Sequence, residues 1–464
     1  MDAARIAEEL DLERRRRAAD GPDLWRRFVN PAWAGLLRST GWERRFRHAR
    51  GLELEDDRGE RYLDFLSGFG ALGLGHNHPA LKAALRSALD DDLPGFTQVE
   101  CSALAGLAAE RLAALLPAGP HRVFFCSSGS EAVEAALKLA RAATGKRRIV
   151  ACEGAYHGST LGALSLKGVG AARDRFGPLL PDVERVPFGD LEALRRAVRG
   201  GDVAAFVVEP ILGEGGAVVP PADYLPRAAD AVHARGGLLV ADEVQTGLGR
   251  TGKMFAFEHS GTAPDIVTVA KVLGGGLVPV GAMIARAEPF DRAYGSARTC
   301  MDHATTFGGG PLAMTAVLAT LRVIEEERLI ERAAGQGRIL RRRLKDVASK
   351  HPSIREVRGM GLMLGIRVRD AAGGWLERTP FAAFGRASAA LLAQYVALRL
   401  LSEHRIVTQA AVNDPSVLKV MPPLIVDEAA IERFAAALDV VLADAGHGAA
   451  LARFASEFVK HARD

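Results

Sequence analysis

Cysteine is scarce in this chain. Its 464 residues include four, Cys101, Cys126, Cys152 and Cys300, far apart and without a C-x-x-C spacing. That excludes a disulfide framework and a cysteine zinc module, and it fits a reducing, cytoplasmic setting. A charge of one sign is also missing: 60 Lys and Arg stand against 56 Asp and Glu, leaving +4. The basic runs "RRRR" at 14–17 and "RRR" at 341–343 lie among acidic or apolar residues in helical patterns. They read as solvated helix faces, so no nucleic-acid partner is expected. No apolar run reaches the roughly 20 residues that a membrane span needs. The opening "MDAARIAEELDLERRRR" mixes acids and bases and has no apolar h-region, unlike a secretory signal. Internal repeats and low-complexity linkers are absent as well.

What remains is ordinary globular material, 48% apolar and 25% charged. The length suits two domains or one large α/β unit. The first forty residues read as helical and charged, broken by Pro22 and Pro31. "RYLDFLSGFGALGLGHNHPALKAAL" moves from a short strand through glycines into a helix starting near Pro79. From there to about residue 330, strands alternate with helices. "HRVFFCSSG", "RRIVACEGAYHG", "DVAAFVVEPI", "GGLLVADEV" and "DIVTVAK" read as strands, and "SEAVEAALKLARAAT" and 224–234 as helices. Such near-continuous apolar strands suit a parallel sheet covered on both faces. Past Glu325 the pattern becomes helix, "EVRGMGLMLGIRV", helix and "VLKVMPPLIV", a smaller α+β unit. The expected division is an N-terminal segment over 1–78, a large domain over 79–329 and a small domain over 330–464.

Open α/β sheets bind ligands at the carboxyl ends of their strands. The polar residues closing these strands are therefore the candidate site: Ser127 to Ser130, Tyr156, His157, Glu209, Asp242 to Gln245, and Lys271. Lys271 is the one charge in "IVTVAKVLGGGLVPVGAMIA". A lone lysine in such a run can snorkel its ammonium to water. Alternatively burial lowers its pKa, and the neutral amine becomes a nucleophile toward aldehydes. Ser128-x-x-Glu131 has capping-box form, and the helix it opens is either simply well capped or a phosphate site. Gly247-x-Gly249-x-x-Gly252 imitates a dinucleotide fingerprint, and Gly247 to Lys253 most of a Walker A loop. Both fail: Met254 stands where a P-loop needs Ser or Thr, and no helix follows.

Taken together, "SSGSEAVEAALKLARAATG", "AYHGSTLGALSL", "VVEPILGEGG", "LLVADEVQTGLGRTG", "PDIVTVAKVLGGGLVPVGA" and "HATTFGGGPLA" occur in a familiar order and spacing. The chain resembles class III aminotransferases of the ornithine and putrescine type. The resemblance implies the fold type I architecture of pyridoxal-phosphate enzymes: a large domain with a mostly parallel seven-stranded sheet plus a smaller α+β domain. It also implies pyridoxal 5′-phosphate as cofactor, held by Lys271 as a Schiff base. Asp242 would pair with the ring nitrogen, Gln245 with the ring hydroxyl, and Tyr156 would stack on the ring. Ser128, Gly129 and Ser130 would hold the phosphate, with His157 and Glu209 close by. Thr306 would reach the phosphate of a neighbouring subunit, implying a homodimer with shared sites. No metal is implied.

Three positions depart from the ornithine-type pattern. The arginine that grips the substrate α-carboxylate is replaced by Lys419, the second arginine by Ser159, and a tyrosine by Phe69, while the gating Glu214 is kept. Lysine does not reproduce a bidentate guanidinium clamp. The expected reaction is therefore transamination between an amine or ω-amine lacking an α-carboxylate, such as a diamine, and an oxo acid such as pyruvate or 2-oxoglutarate. The alternatives are an ornithine or acetylornithine aminotransferase, or an aminomutase or racemase of the superfamily. A binding protein without catalysis is a further reading, opposed by the intact Lys271, Asp242 and Gln245.

Overall fold

The computed structural model describes residues 3–17, 20–39, 41–95, 100–168, 171–369 and 385–445. The last part of the expected small domain, from 446 on, lies outside them. Strands β1 (Phe46–Arg50), β2 (Glu53–Asp56) and β3 (Arg61–Asp64) open the β structure. Seven strands follow: β4 (His121–Cys126), β5 (Arg148–Cys152), β6 (Val183–Val186), β7 (Val203–Val208), β8 (Leu238–Asp242), β9 (Ile266–Val269) and β10 (Gly281–Arg286). Beyond them lie β11 (Ile354–Met360), β12 (Met363–Val368), β13 (Ile406–Val407), β14 (Gln409–Ala410) and β15 (Val417–Val420).

The large sheet has the order β4-β10-β9-β8-β7-β5-β6. Only β10 runs against its neighbours, so the sheet is mostly parallel with seven strands, as expected. Its centre explains the apolar runs: all six residues of β7, "VAAFVV", are buried. Ala205 and Val207 pack with Val133, Ala136 and Leu137 of the helix Gly129–Thr144 on one face. Phe206 and Val208 pack with Leu194 of Leu191–Val198 and Ala228 of Tyr224–His233 on the other. Each fully buried Val or Phe contributes roughly 1.5–3 kcal/mol, so charge is admitted only where these strands end. Two further four-stranded sheets have the orders β1-β2-β3-β13 and β11-β12-β15-β14.

Pro22 and Pro31 interrupt the N-terminal helical run as expected: each sits in the first turn of a new helix, Gly21–Phe28 and Pro31–Ser39, where the missing N–H costs nothing. The run after Lys271 hides β10, the antiparallel strand, and β6 is too short and polar to declare itself. "EVRGMGLMLGIRV" is a hairpin of β11 and β12 that turns through Gly361 at φ +54°.

Candidate active site

The carboxyl ends of β4, β5, β7, β8 and β9 meet around a cavity of about 430 Å³. Ser128, Gly129, Ser130, Tyr156, His157, Glu209, Glu214, Asp242, Gln245 and Lys271 all line it. Ten expected residues, from five loops far apart in sequence, are thereby brought together.

One end of the cavity is the start of the helix Gly129–Thr144. Ser128 caps it by accepting from Glu131 N (3.2 Å), and Glu131 reaches back to accept from Ser127 N (2.6 Å). The first N–H groups of a helix have no intrahelical acceptor, which suits a phosphate. Backbone must approach closely here. A Cβ added at Gly129 would lie 2.8 Å from Val244 Cγ1, and one at Gly158, φ +129°, 2.2 Å from Ser130 Oγ.

Asp242 ends β8 and is buried. Its Oδ1 accepts from Val244 N (3.1 Å) and Thr268 Oγ1 (2.8 Å), and its Oδ2 lies 2.6 Å from His157 Nδ1. Burial alone would push the His157 imidazole down. The bond to Asp242, with the charges of Asp242 and Glu209, outweighs it and raises its pKa. Glu209 shares the cavity with Asp242 and Gln245. It accepts from Tyr156 N and Gly213 N, each at 2.9 Å, and so ties together the two walls that those residues carry. Burial pushes its carboxyl up to about 7.

Lys271 follows Ala270 at the end of β9 and takes φ +50°, a left-handed conformation rare for a residue with a side chain. Burial lowers its pKa against the opposing charges of Glu214, Asp242 and Glu209. Lys271 lines the cavity, and the direction of its shift is that of the second reading open in the sequence.

Gln245 Nε2 donates to Phe69 O (3.2 Å) and to Glu214 Oε1 (3.3 Å), while its buried Oε1 has no partner among the described residues. His157 Nε2 is likewise buried and unpartnered. Lys419, on β15, has a side chain 1% exposed and donates to both oxygens of Glu214, at 2.8 and 2.9 Å. Glu214 Oε2 also accepts from Val412 N (3.1 Å). Burial would raise the Glu214 carboxyl, but the Lys419 charge and these donors hold it below the usual range. The Lys419 ammonium sits over the Phe69 ring, 4.3 Å from its centroid. Phe69 belongs to a short left-handed turn: Ser67, Gly68, Phe69 and Gly70 have φ of 48°, 58°, 58° and 88°.

Four expected residues do not line this cavity: Phe69 and Lys419, which adjoin it through Gln245 and Glu214, and Ser159 and Thr306. Ser159 is exposed and bonds to Tyr156 Oη (3.1 Å), not to Lys419. Thr306 is exposed and does not line this cavity. Sequence reasoning missed Thr268, which faces Asp242 in the β8–β9 register, and the wall formed by Leu277 to Val280. A threonine inside the otherwise apolar "IVTV" was the available signal. Apolar wall residues gave none, because they look like core.

A family model described as aminotransferase class-III matches residues 40–442. The chain is 44% identical over 359 residues to a putrescine aminotransferase of Pectobacterium atrosepticum, covering 74% of this chain and 76% of that one. It is 38% identical over 452 residues to the aminotransferase PigE of Serratia sp., covering 91% of this chain and 53% of the relative, so it spans about half that protein's length. Among solved structures, an ornithine aminotransferase of Toxoplasma gondii, reported with partial occupancy of PLP at its active site, aligns at TM-score 0.76 and 31% identity over 86% of this chain and 89% of that one. An S-selective transaminase of Arthrobacter sp. aligns at TM-score 0.78 and 28% identity, over 88% and 94%. Pyridoxal 5′-phosphate is the cofactor of these enzymes. The glycine-lined helix start, the unpartnered Gln245 Oε1 and the lowered Lys271 pKa fit it. On its sequence, its fold and the chemistry gathered in this cavity, the chain belongs to the class III aminotransferases.

Proposed function

We propose that this enzyme transfers an amino group from a diamine, or a similar amine lacking an α-carboxylate, to an oxo acid. The observation carrying the substrate class is the buried Lys419–Glu214 pair over Phe69. Bound in the cavity, pyridoxal phosphate supplies an aldehyde that captures amines and a ring that withdraws electrons from the neighbouring carbon. Lys271 Nζ would hold that aldehyde and, when freed by the incoming amine, would carry the proton from the amine-bearing carbon to the former aldehyde carbon of the cofactor. Asp242, oriented by His157, Thr268 and Val244 N, would hold the ring nitrogen. Gln245 Oε1 would accept from the ring hydroxyl, and Tyr156, whose N–H is held by Glu209, would cover the ring. Ser128, Gly129 and Ser130 would hold the phosphate.

A substrate α-carboxylate would have to compete for an ammonium that Glu214 already holds. Incomplete pairing of a buried carboxylate costs about 4 kcal/mol, a factor of about a thousand in preference. Each methylene buried in the pocket returns roughly 0.8 kcal/mol. Putrescine or cadaverine should therefore exceed ornithine as donor in kcat/KM, in a panel against pyruvate and 2-oxoglutarate. The oxo-acid carboxylate is proposed to reach Lys419 once Glu214 swings away, so Lys419→Ala should raise the KM for the oxo acid more than that for the amine. A preference for ornithine would favour the ornithine-type alternative, and turnover of one substrate without an oxo acid an isomerase.

The working unit is proposed to be a homodimer. Met301 and Phe307, flanking the Thr306 region, are 65% and 75% exposed, an apolar surface that a second copy would cover. Cofactor retention should then fall on dilution, and a fully active monomer in sedimentation would end the idea. The cytoplasm is the proposed location, supported by four free cysteines. Among the described residues no helix is long and apolar enough to cross a membrane.

A further inference from the structure

A second cleft, of about 440 Å³, lies between β1 and the helix Pro79–Asp90. Arg47, His48 and Arg50 form one wall, and Lys82 and Arg86 the other, with Asn77 at the junction. No acidic residue lines it. The walls are fastened together: Asn77 Nδ2 donates to Ala49 O (2.9 Å), and Gly51 and His76 exchange backbone hydrogen bonds of 3.0 and 2.8 Å. The cleft is thus preformed.

Its charge is not neutralised from outside. The β1–β2 register places Glu55 opposite His48 and Glu53 opposite Arg50. Both carboxylates turn instead to Arg61, at 3.6 Å for Glu53 and 3.9 Å for Glu55. Arg47, Arg50, Lys82 and Arg86 form no ion pair within the 4.0 Å limit among the described residues, while their neighbour Arg45 is paired with Asp57 at 2.6 Å. Lys82 and Arg86 are also four residues apart on one helix, a like-charge spacing that weakens the helix. Unpaired cations gathered in one concavity repel each other, and an anion that bridges them removes that cost.

We propose that this cleft is an anion site, outside the catalytic cavity, for a small ligand carrying two or more linked phosphate groups. Guanidinium forks on one wall and an ammonium–guanidinium pair on the other suit phosphate oxygens presented in two directions. A single phosphate engages one wall, whereas a linked pair engages both.

The test is calorimetric titration of the cofactor-loaded enzyme with inorganic pyrophosphate, and separately with orthophosphate. The loaded enzyme keeps the catalytic phosphate position filled, which the cofactor absorbance verifies. Pyrophosphate should bind at least about tenfold tighter than orthophosphate and weaken as salt is raised. Arg47→Gln with Arg86→Gln should weaken it at least about tenfold, with amine turnover unchanged. Should that double variant fold poorly, Lys82→Gln alone should give a smaller loss in the same direction. Absence of pyrophosphate binding, equal affinity for the two anions, or binding untouched in the variants would each overturn the proposal.

Discussion

Lys271→Ala is expected to lower turnover by at least about four orders of magnitude, because one substitution removes both the proposed nucleophile and the proposed proton carrier. The variant should still fold. Alanine meets the same left-handed φ of +50° that lysine already tolerates, so no new backbone strain arises. Nor is an ion pair lost, since no carboxylate lies within the 4.0 Å limit of Lys271 among the described residues. Borohydride treatment of the loaded wild-type enzyme, followed by peptide mapping, gives a readout independent of turnover. The label should be on Lys271. Label on Lys167, whose ammonium lies 5.8 Å from the Tyr156 ring centroid, or on Lys253 would remove the assignment.

Asp242→Asn is expected to cost about 4 kcal/mol of transition-state stabilisation, close to a thousandfold in kcat/KM. The hydrogen-bond pattern explains why folding should survive. The amide oxygen can keep the Val244 N and Thr268 Oγ1 donors now held by Oδ1. The new NH₂ would then face His157 Nδ1, which can accept from it by moving its proton to the now unpartnered Nε2. What disappears is the negative charge toward the cofactor ring. A loss smaller than about tenfold would mean that another group supports the ring nitrogen.

Much of the cofactor end of the site was legible because its residues are anomalies in their surroundings. A lysine in an apolar run, an aspartate closing "LLVAD" and a Ser-x-x-Glu cap each break a local pattern, and such breaks are where function is expected. The centre of the large sheet was legible for the opposite reason: β7 is uniformly apolar, and β8 and β9 are apolar but for Asp242 and Thr268. β10 was not, because an apolar run carries no sign of where one strand ends and another starts, or of which way it runs. The partners of Glu209 were also hidden, since backbone donors have no identity in sequence. The basic cleft shows the same limit. Arg47, His48 and Arg50 are more than thirty residues from Lys82 and Arg86 and look like dispersed surface charge. The pairing of Gly51 with His76 and the Asn77–Ala49 hydrogen bond make them face one space.

The left-handed turn at Ser67 to Gly70 bears on how this enzyme could change its substrate over evolutionary time. Such a turn usually restricts the sequence to glycine, yet position 69 already carries a full side chain there, with its carbonyl held by Gln245 and the segment anchored by Ser67 Oγ to Met421 O (2.6 Å). The backbone cost is thus independent of which large side chain occupies the position. Phe69→Tyr would add one hydroxyl near the Lys419–Glu214 pair without disturbing the chain trace. Position 69 is therefore a place where specificity can drift by single substitutions while stability stays level, and a natural first site for directed evolution toward carboxylated donors.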